Sequence, residues 1–268
     1  MTVKIYPNTY KDPDGSITGR IRSCLEARGI PYGIYPEDPI SDGDFVIAIG
    51  GDGTMLQAAR EVRNLNAPII GVNKGALGYL TEVEPDCIEE AIDRIAAGQY
   101  YLENRMMLKG RVCFADGSAR EDLALNDVVI SRCGSLKIQL LRISVNGRFL
   151  HEFHADGVIL TTPTGSTGYN LSAGGPLLEP TAQLITLTPI CPHNLNRNSI
   201  VFSGEDEIEV EVLPAKDGGE QMMEASFDGS TVVRLRTGDR ILVSRAENVT
   251  ELLTLRQTSF LDILQEKL

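Results

Sequence analysis

The chain is poor in the residues that most metal and redox sites need: it has only three histidines, and its five cysteines, Cys24, Cys87, Cys113, Cys133 and Cys191, lie far apart with no C-x-x-C pair. That spacing argues against a structural zinc framework and shows no disulfide pattern, so the thiols are expected to be reduced. Basic residues are also in short supply, 25 against 37 acidic ones, for a formal net charge of -12. A surface of that sign repels a polyanion, which excludes a general affinity for nucleic acid. No stretch approaches the roughly 18 uninterrupted apolar residues of a membrane span, and no N-terminal run has signal-peptide form. We expect a cytoplasmic protein with no membrane partner. Two phosphate-binding signatures are missing as well: without G-x-x-x-x-G-K-[ST] this is no P-loop kinase, and without G-x-G-x-x-G it has no ordinary dinucleotide fingerprint.

What the chain does have is ample apolar material, 42% of its 268 residues, for one large or two modest domains. Its organising stretch is Asp44-Phe-Val-Ile-Ala-Ile-Gly-Gly-Asp-Gly-Thr54. A short run rich in β-branched residues reads as a buried strand. It empties into Gly50-Gly51-Asp52-Gly53-Thr54 just before Met55 to Arg60, whose composition favours helix. Glycines leave the amides there uncovered, and a helix N-terminus favours negative charge, so phosphates could approach. An ordinary Asp-Gly turn is the competing interpretation.

Ahead of this stretch, Val3 to Tyr6 reads as a strand. Ser16 is placed as the N-cap of a helix with an apolar face of Ile17, Ile21, Cys24 and Leu25 that stops at Gly29. Arg20, Arg22, Glu26 and Arg28 are expected on its solvated side. Tyr32 to Tyr35 and Pro68 to Val72 read as further strands, and the alternation implies a mainly parallel sheet with ligands at the carboxyl ends of its strands. Asn73 to Leu80 leaves the last strand at that edge, and its two glycines would let it lie close to a ligand. Asp86 and Glu89 have capping-box spacing before a helical face of Ile88, Ala91, Ile92, Ile95 and Ala96, ended by Gly98.

Beyond about Tyr100, strand follows strand: Leu108 to Phe114, Leu123 to Ser131, Lys137 to Val145, Phe149 to Leu160, Ile208 to Leu213, Gln221 to Phe227, Thr231 to Leu235 and Arg240 to Ser244. Asp116-Gly117, Asn146-Gly147 and Asp228-Gly229 supply turns. We therefore expect an α/β domain over 1–103 with a mainly parallel, Rossmann-like sheet, and a β-rich, β-sandwich-like domain over 104–249. The tail 250–268 has enough apolar residues to pack back, with the first domain as a candidate.

Two stretches of the β-rich half carry polar chemistry. A strand from Val158 to Thr161 runs into Pro163-Thr164-Gly165-Ser166-Thr167-Gly168, which offers hydroxyls and free amides in quick succession and suits a nucleotide. Tyr169 could stack on a base or be a packed core ring. Leu125-Asn126-Asp127-Val128 sets an amide and a carboxylate in an otherwise apolar strand, on opposite faces unless a bulge or turn intervenes. They are either a turn-forming pair, or an amide reading an adenine edge beside a carboxylate holding a hydroxyl. His151 and His154, three residues apart on an expected strand, point to opposite faces, so a shared metal is not expected.

Taken together, Gly50-Gly51-Asp52-Gly53-Thr54, Asn126-Asp127, Thr162-Pro-Thr-Gly-Ser-Thr-Gly-Tyr169 leading to Gly174-Gly175-Pro176, Leu187-Thr-Pro-Ile-Cys-Pro-His193 and Asp228-Gly229 resemble the ordered motifs of bacterial NAD kinases over most of the chain. The first motif is shared with diacylglycerol and sphingosine kinases; the threonine-rich segment is not typical of those relatives. The resemblance implies transfer of the γ-phosphoryl group of ATP to the 2'-hydroxyl of the adenosine ribose of NAD, making NADP, in a crevice between two domains and with a divalent metal cation, by expectation Mg2+.

The resemblance further implies Asp52 as proton acceptor, with Asp52 and Gly53 at the reacting ribose and phosphates, and Asn126 and Asp127 on the nucleotide. Thr164, Thr167, Gly168, Tyr169 and Ser172 would surround adenine and ribose, and Asp156 and Cys191 would lie nearer the nicotinamide. His154 occupies a position where a basic residue is common. Family members are homo-oligomers, so a homodimer or homotetramer is implied, with His154 and Asp156 acting on a neighbouring subunit's site. Gly168 stands where alanine is frequent and is expected to loosen local packing; Ser230 stands where glutamine is frequent. Lys74 is a candidate cation for the phosphates. Two other functions stay open at this point. One is a lipid or small-polyol kinase, for which no apolar lid is visible; the other is a non-catalytic NAD-binding regulator, which has little need of an acid such as Asp52.

Overall fold

β-branched runs alternating with one-faced helices build the first of two units, Met1–Arg105 with Val249–Leu268. The computed structural model describes residues 1–73, 78–134, 137–193, 197–255 and 260–267. In this unit the order is β1 (Val3–Pro7), α1 (Ser16–Ala27), β2 (Tyr32–Ile34), β3 (Phe45–Ile49), α2 (Asp52–Val62), β4 (Ile69–Val72) and α3 (Ile88–Ala96). The strands are parallel in the order β2-β1-β3-β4. β4 is buried throughout, as a strand covered on both faces must be, and so its sequence is a continuous apolar run rather than an alternating one. Ile17, Ile21 and Leu25 of α1 and Ile88, Ala91, Ile92 and Ile95 of α3 share one core with Ile5, Ile47, Ile49 and Ile70. Leu253 and Leu255 of the tail join that core, and Leu252 pairs with Ile69 in parallel.

Four local expectations are corrected. Ser16 does not cap α1: Gly15 stands before the helix in the left-handed conformation, and the Asp12 carboxylate accepts from the Ile17 and Thr18 amides at 3.1 and 2.9 Å. A carboxylate one loop earlier meets the orphan donors of the first turn better than a short serine inside it. Asp86 and Glu89 make no capping box. Pro85–Cys87 is a separate 3-10 turn, and α3 has no side-chain cap. Both acids instead reach Arg20, Glu89 at 2.6 Å and Asp86 at 3.4 Å. Ala96 is exposed, rotated off the buried stripe. Arg20 and Arg28, expected on a merely solvated face of α1, thus tie it to α3, with Arg28 bonded to Asp93 at 2.8 Å, although exposed pairs of this kind contribute little to stability.

The second unit, Met106–Asn248, is built from strands: β5 (Tyr101–Cys113), β6 (Ala119–Ala124), β7 (Asp127–Arg132), β8 (Gln139–Val145), β9 (Arg148–Ala155), β10 (Gly157–Thr161), the short helix α4 (Tyr169–Ser172), β11 (Leu184–Ile190), β12 (Ile200–Ser203), β13 (Ile208–Val212), β14 (Met222–Phe227), β15 (Thr231–Arg236) and β16 (Arg240–Thr254), which runs on into the first unit. One sheet has the order β12-β11-β10-β7-β14-β15. Facing it are the antiparallel pairs β8–β9, β8–β13, β13–β16 and β5–β6. Val128, Ile130, Val158, Leu160 and Phe227 from the first layer meet Leu141, Ile143, Phe153, Val210 and Ile241 from the second in a single core, which makes the unit a β-sandwich.

Two expected strands are each broken in two. Leu123 to Ser131 bends at Leu125-Asn126, and Phe149 to Leu160 breaks at Asp156, where the chain leaves one layer for the other. Gly157 makes the crossing possible, because a Cβ there would lie 2.2 Å from the Ile130 carbonyl oxygen. β11 and β12 were not anticipated; Thr186, Thr188 and Pro189 dilute their apolar pattern. No helix among the described residues is long and apolar enough to cross a membrane.

Candidate active site

In the first unit, the β3 strand delivers Gly50-Gly51 to the start of α2, and Asp52 is the first residue of that helix. The amides of Thr54 and Met55 both turn back to the Gly51 carbonyl, at 2.8 and 3.2 Å. No acceptor is found among the described residues for the amides of Gly51, Asp52 and Gly53, so three donors point out of the helix N-terminus, where partial positive charge accumulates. Gly53 is exposed.

The Asp52 side chain is held by the loop after β4. Its Oδ2 accepts from the Tyr79 amide at 2.9 Å and its Oδ1 from the Leu80 amide at 3.0 Å. Gly78 lets that loop in, since a Cβ there would lie 2.0 Å from Asp52 Oδ1. At Gly78 the close approach of the backbone is to Asp52, and Gly75, the other glycine of this loop, lies outside the described residues. Lys74 lies outside the described residues.

In the second unit, the bend at Leu125-Asn126 resolves the question of opposite faces, because Asn126 lies before β7 and Asp127 is its first residue. The Asn126 carbonyl accepts from the Thr162 amide at 2.9 Å and the Thr161 hydroxyl at 3.0 Å. Gly165 packs on it so closely that a Cβ would come within 2.3 Å of that oxygen. Asn126 Oδ1 is buried and has no hydrogen-bond partner, an unmet acceptor of the kind native structures rarely leave without a reason.

Asp127 pairs across the sheet with Thr161 of β10, on the face that carries Val129 and Ile159, opposite the sandwich core. It is 7% exposed and no described group bonds its carboxylate. Burial first, and then the neighbouring Asp228 carboxylate, push its carboxyl up to about 7.

The threonine-rich segment folds over the same face as a 3-10 turn, Thr164–Thr167, followed by α4. Its anchor is Asn170, fully buried, whose Nδ2 donates to the Ser166 and Pro176 carbonyls at 3.2 and 2.9 Å and whose Oδ1 accepts from Thr188 at 2.7 Å. Thr164 is buried, Thr167 and Gly168 are half-buried, and Tyr169 and Ser172 are exposed. Tyr169, 47% exposed, is therefore a free ring face and no core residue. Gly168 has φ -93° and ψ -129°, and a Cβ there would lie 3.3 Å from the Gly165 oxygen and 3.6 Å from Asn126 Nδ2. Ser230 is exposed and closes its own turn, its amide and hydroxyl both donating to the Phe227 carbonyl at 3.0 and 3.1 Å.

Asn126, Asp127, Thr164, Thr167, Gly168, Tyr169 and Ser172 are thus gathered beyond the carboxyl end of β10. His154, Asp156 and Cys191 are not with them. They cluster at the amino end of the same strand, where Asp156 donates its amide to Ile190 at 2.9 Å, the His193 amide bonds the His154 carbonyl at 2.7 Å, and Arg132 pairs with Asp156 at 3.0 Å. Five residues of extended chain separate Asp156 from Thr161, about 16 Å. Cys191 is exposed, with φ 46°. Thr161, Thr162, Asn170 and Asp228 hold this site together and were not picked out as site residues in the sequence; Asp228 had been noted only as part of a turn and of a family motif. Only folding brings it beside Asn126.

Residues 37–100 match the model of the ATP-NAD kinase N-terminal domain, and residues 125–255 that of the ATP-NAD kinase C-terminal domain. The chain belongs to the ATP-NAD kinase family. An NAD kinase of Agathobacter rectalis is 44% identical over 277 residues, covering 98% of this chain and 97% of that one. One of Lachnospira eligens is 39% identical over 288 residues, covering 98% of each. Among solved structures, an NAD kinase from Archaeoglobus fulgidus in complex with ATP superposes with a TM-score of 0.77 at 26% identity, over 94% of this chain and 93% of that one. A yeast NADH kinase complexed with NADH shares the fold, with a TM-score of 0.88 at 22% identity over 99% of this chain and 86% of that one. The two family models between them take in Gly50–Thr54, Asn126-Asp127, the Thr162–Pro176 segment and Asp228.

Proposed function

We propose that this protein is an enzyme that phosphorylates NAD, transferring the γ-phosphoryl group of ATP to the 2'-hydroxyl of the adenosine ribose to give NADP. The observation that carries this is identity of 44% along nearly the whole chain to an NAD kinase, joined to an Asp52 carboxylate set at the N-terminus of α2. Asp52 takes the proton of the attacking hydroxyl. Its two amide bonds leave lone pairs on each oxygen and fix the direction in which they point. The free amides of Gly51, Asp52 and Gly53 receive phosphate oxygens. Alignment and neutralisation of charge supply most of the acceleration, since phosphoryl transfer asks little covalent chemistry of the protein.

On the second unit, the Asn126 amide, with its unmet acceptor, reads the adenine edge, Asp127 holds a ribose hydroxyl, and Tyr169 stacks on the base, with Thr164, Thr167, Gly168 and Ser172 lining the site. No group of three or more His, Cys, Asp or Glu among the described residues could hold a metal. A divalent cation, Mg2+, would come with ATP as part of the substrate and would neutralise phosphate charge there, since Mg2+ beside phosphate oxygens asks for no more than one or two carboxylates of the protein. Asp156 and Cys191, remote from Asp127 along β10, address the nicotinamide end of NAD, with His154 and Asp156 acting on the site of a neighbouring copy in a homodimer or homotetramer. The protein works in the cytoplasm, which suits its five unpaired cysteines.

Purified protein with ATP, magnesium and NAD, read by an NADP-specific dehydrogenase, is expected to form NADP. A folded protein that binds NAD and forms none would be a sensor instead. A monomer in light scattering that turns over normally would remove the role of His154 and Asp156 across subunits.

A further inference from the structure

We propose that Asp228 is a positioning residue of the nucleotide site and that, through Asp127, it makes NAD affinity depend on pH. The proposal rests on the NAD kinase assignment for the identity of the ligand, and on geometry for the rest. Asp228 stands in the β14–β15 turn with φ 48°. Its carboxylate accepts three consecutive backbone amides, Leu125 at 2.7 Å, Asn126 at 2.8 Å and Asp127 at 3.1 Å. Its own amide donates to the Asp127 carbonyl at 3.1 Å. Thr161 and Thr162 hold the opposite side of the same bend through the Asn126 carbonyl. Three donors that a bend would leave without partners converge on one charged acceptor, the stronger kind of hydrogen bond. The direction of the Asn126 side chain therefore depends on a residue about a hundred positions away in the chain.

The same carboxylate acts on Asp127. β7 has two neighbours in its sheet. β10 sets the neutral Thr161 opposite Asp127, and β14 leads through Phe227 to Asp228, the one charged group that shifts Asp127. With no bond to its own carboxylate, ionised Asp127 has open lone pairs, and a ligand hydroxyl that donates to them favours the charged form. NAD should bind more tightly as pH rises through about 7, and removing the charge of Asp228 should move that change to lower pH.

The test is calorimetric titration of the full chain with NAD alone, from pH 5.5 to 8.5. We expect wild-type affinity to rise ~10-fold across the range. Asp228→Asn, which keeps one acceptor but no charge, should weaken binding at pH 8 by ~10-fold through amides left unmet and lower the midpoint by more than about half a unit, because a like charge has been removed. Asp127→Asn should bind NAD with no pH dependence in this range. Asp228→Ser, also uncharged, serves if Asp228→Asn does not fold. A purely structural Asp228 could weaken binding but would leave the midpoint in place, and that result overturns the proposal, as does a flat wild-type profile. Wild-type protein that binds no NAD at any pH removes the functional assignment as well, which is a distinguishable failure.

Discussion

Asp52 of the first unit accepts two backbone amides from the Gly78–Leu80 loop at the open start of a helix, whereas Asp127 of the second is buried on a sheet, accepts none, and faces a second carboxylate. One acid is aimed by the chain around it, and the other is held near its point of titration by what surrounds it. The contrast teaches that residue type says little about role: an acid that must meet one hydroxyl needs fixed direction, while an acid that senses a ligand needs an unmet bond.

The sharpest way to break the comparison is to remove the aimed acid. Asp52→Asn should keep the fold and lose on the order of 10^2 to 10^4 in kcat, with NAD affinity little changed, measured by coupled NADP formation. Near-normal kcat would remove Asp52 as proton acceptor. Gly78→Ala tests the aiming alone: the added Cβ would meet Asp52 Oδ1 at 2.0 Å, and displacement of the carboxylate should cost about 10^2 in kcat. If turnover survives, the loop does not set the direction of Asp52.

For the buried acid the readout is stability. The folded protein keeps Asp127 protonated up to about 7, while the unfolded chain ionises it near 3.9. Between those values the folded state binds more protons, so stability falls as pH rises and levels off once both states are ionised. Asp127→Asn cannot ionise and escapes that loss. Its stability relative to wild type should increase from pH 5 to pH 8 by on the order of 2 to 3 kcal/mol, followed by chemical denaturation at each pH. A constant difference would show that Asp127 titrates normally. The smallest effect is expected of Gly168→Ala, where an added Cβ would meet the Gly165 oxygen at 3.3 Å, closer than such atoms ordinarily sit. The stiffer unfolded chain favours alanine by about 0.4–1 kcal/mol and the tight contact opposes it, so melting should report a net change within about 1 kcal/mol, with kcat unchanged; a large loss of NAD affinity would mean that the Asn126 amide needs the space.

Much of this was legible without coordinates. The β3 strand, its glycine turn and the start of α2 follow from local pattern, as do the apolar faces of α1 and α3. The two strands read as too long, Leu123 to Ser131 and Phe149 to Leu160, failed for one reason. Both readings run across residues that disfavour strands, Asn126-Asp127 and Ala155-Asp156-Gly157, because β-forming residues resume on the far side. β11 escaped notice because Thr186 and Thr188 look polar in sequence but are buried on the sheet face beneath Asn170.

The residue types at Asp52, Asn126, Asp127 and the threonine-rich segment were set out by the sequence itself, together with the alternation that yields a parallel sheet in one unit and a sandwich in the other, because those depend on short-range periodicity and on which groups can do chemistry. What tertiary structure alone decided is how those groups are held. Gly78 is brought against Asp52, Asp228 is brought to three amides a hundred residues earlier in the chain, and His154, Asp156 and Cys191 are separated from the rest by the length of β10. Direction, burial and the field of a neighbouring charge arise from contacts between segments distant in the chain, and no local pattern encodes them.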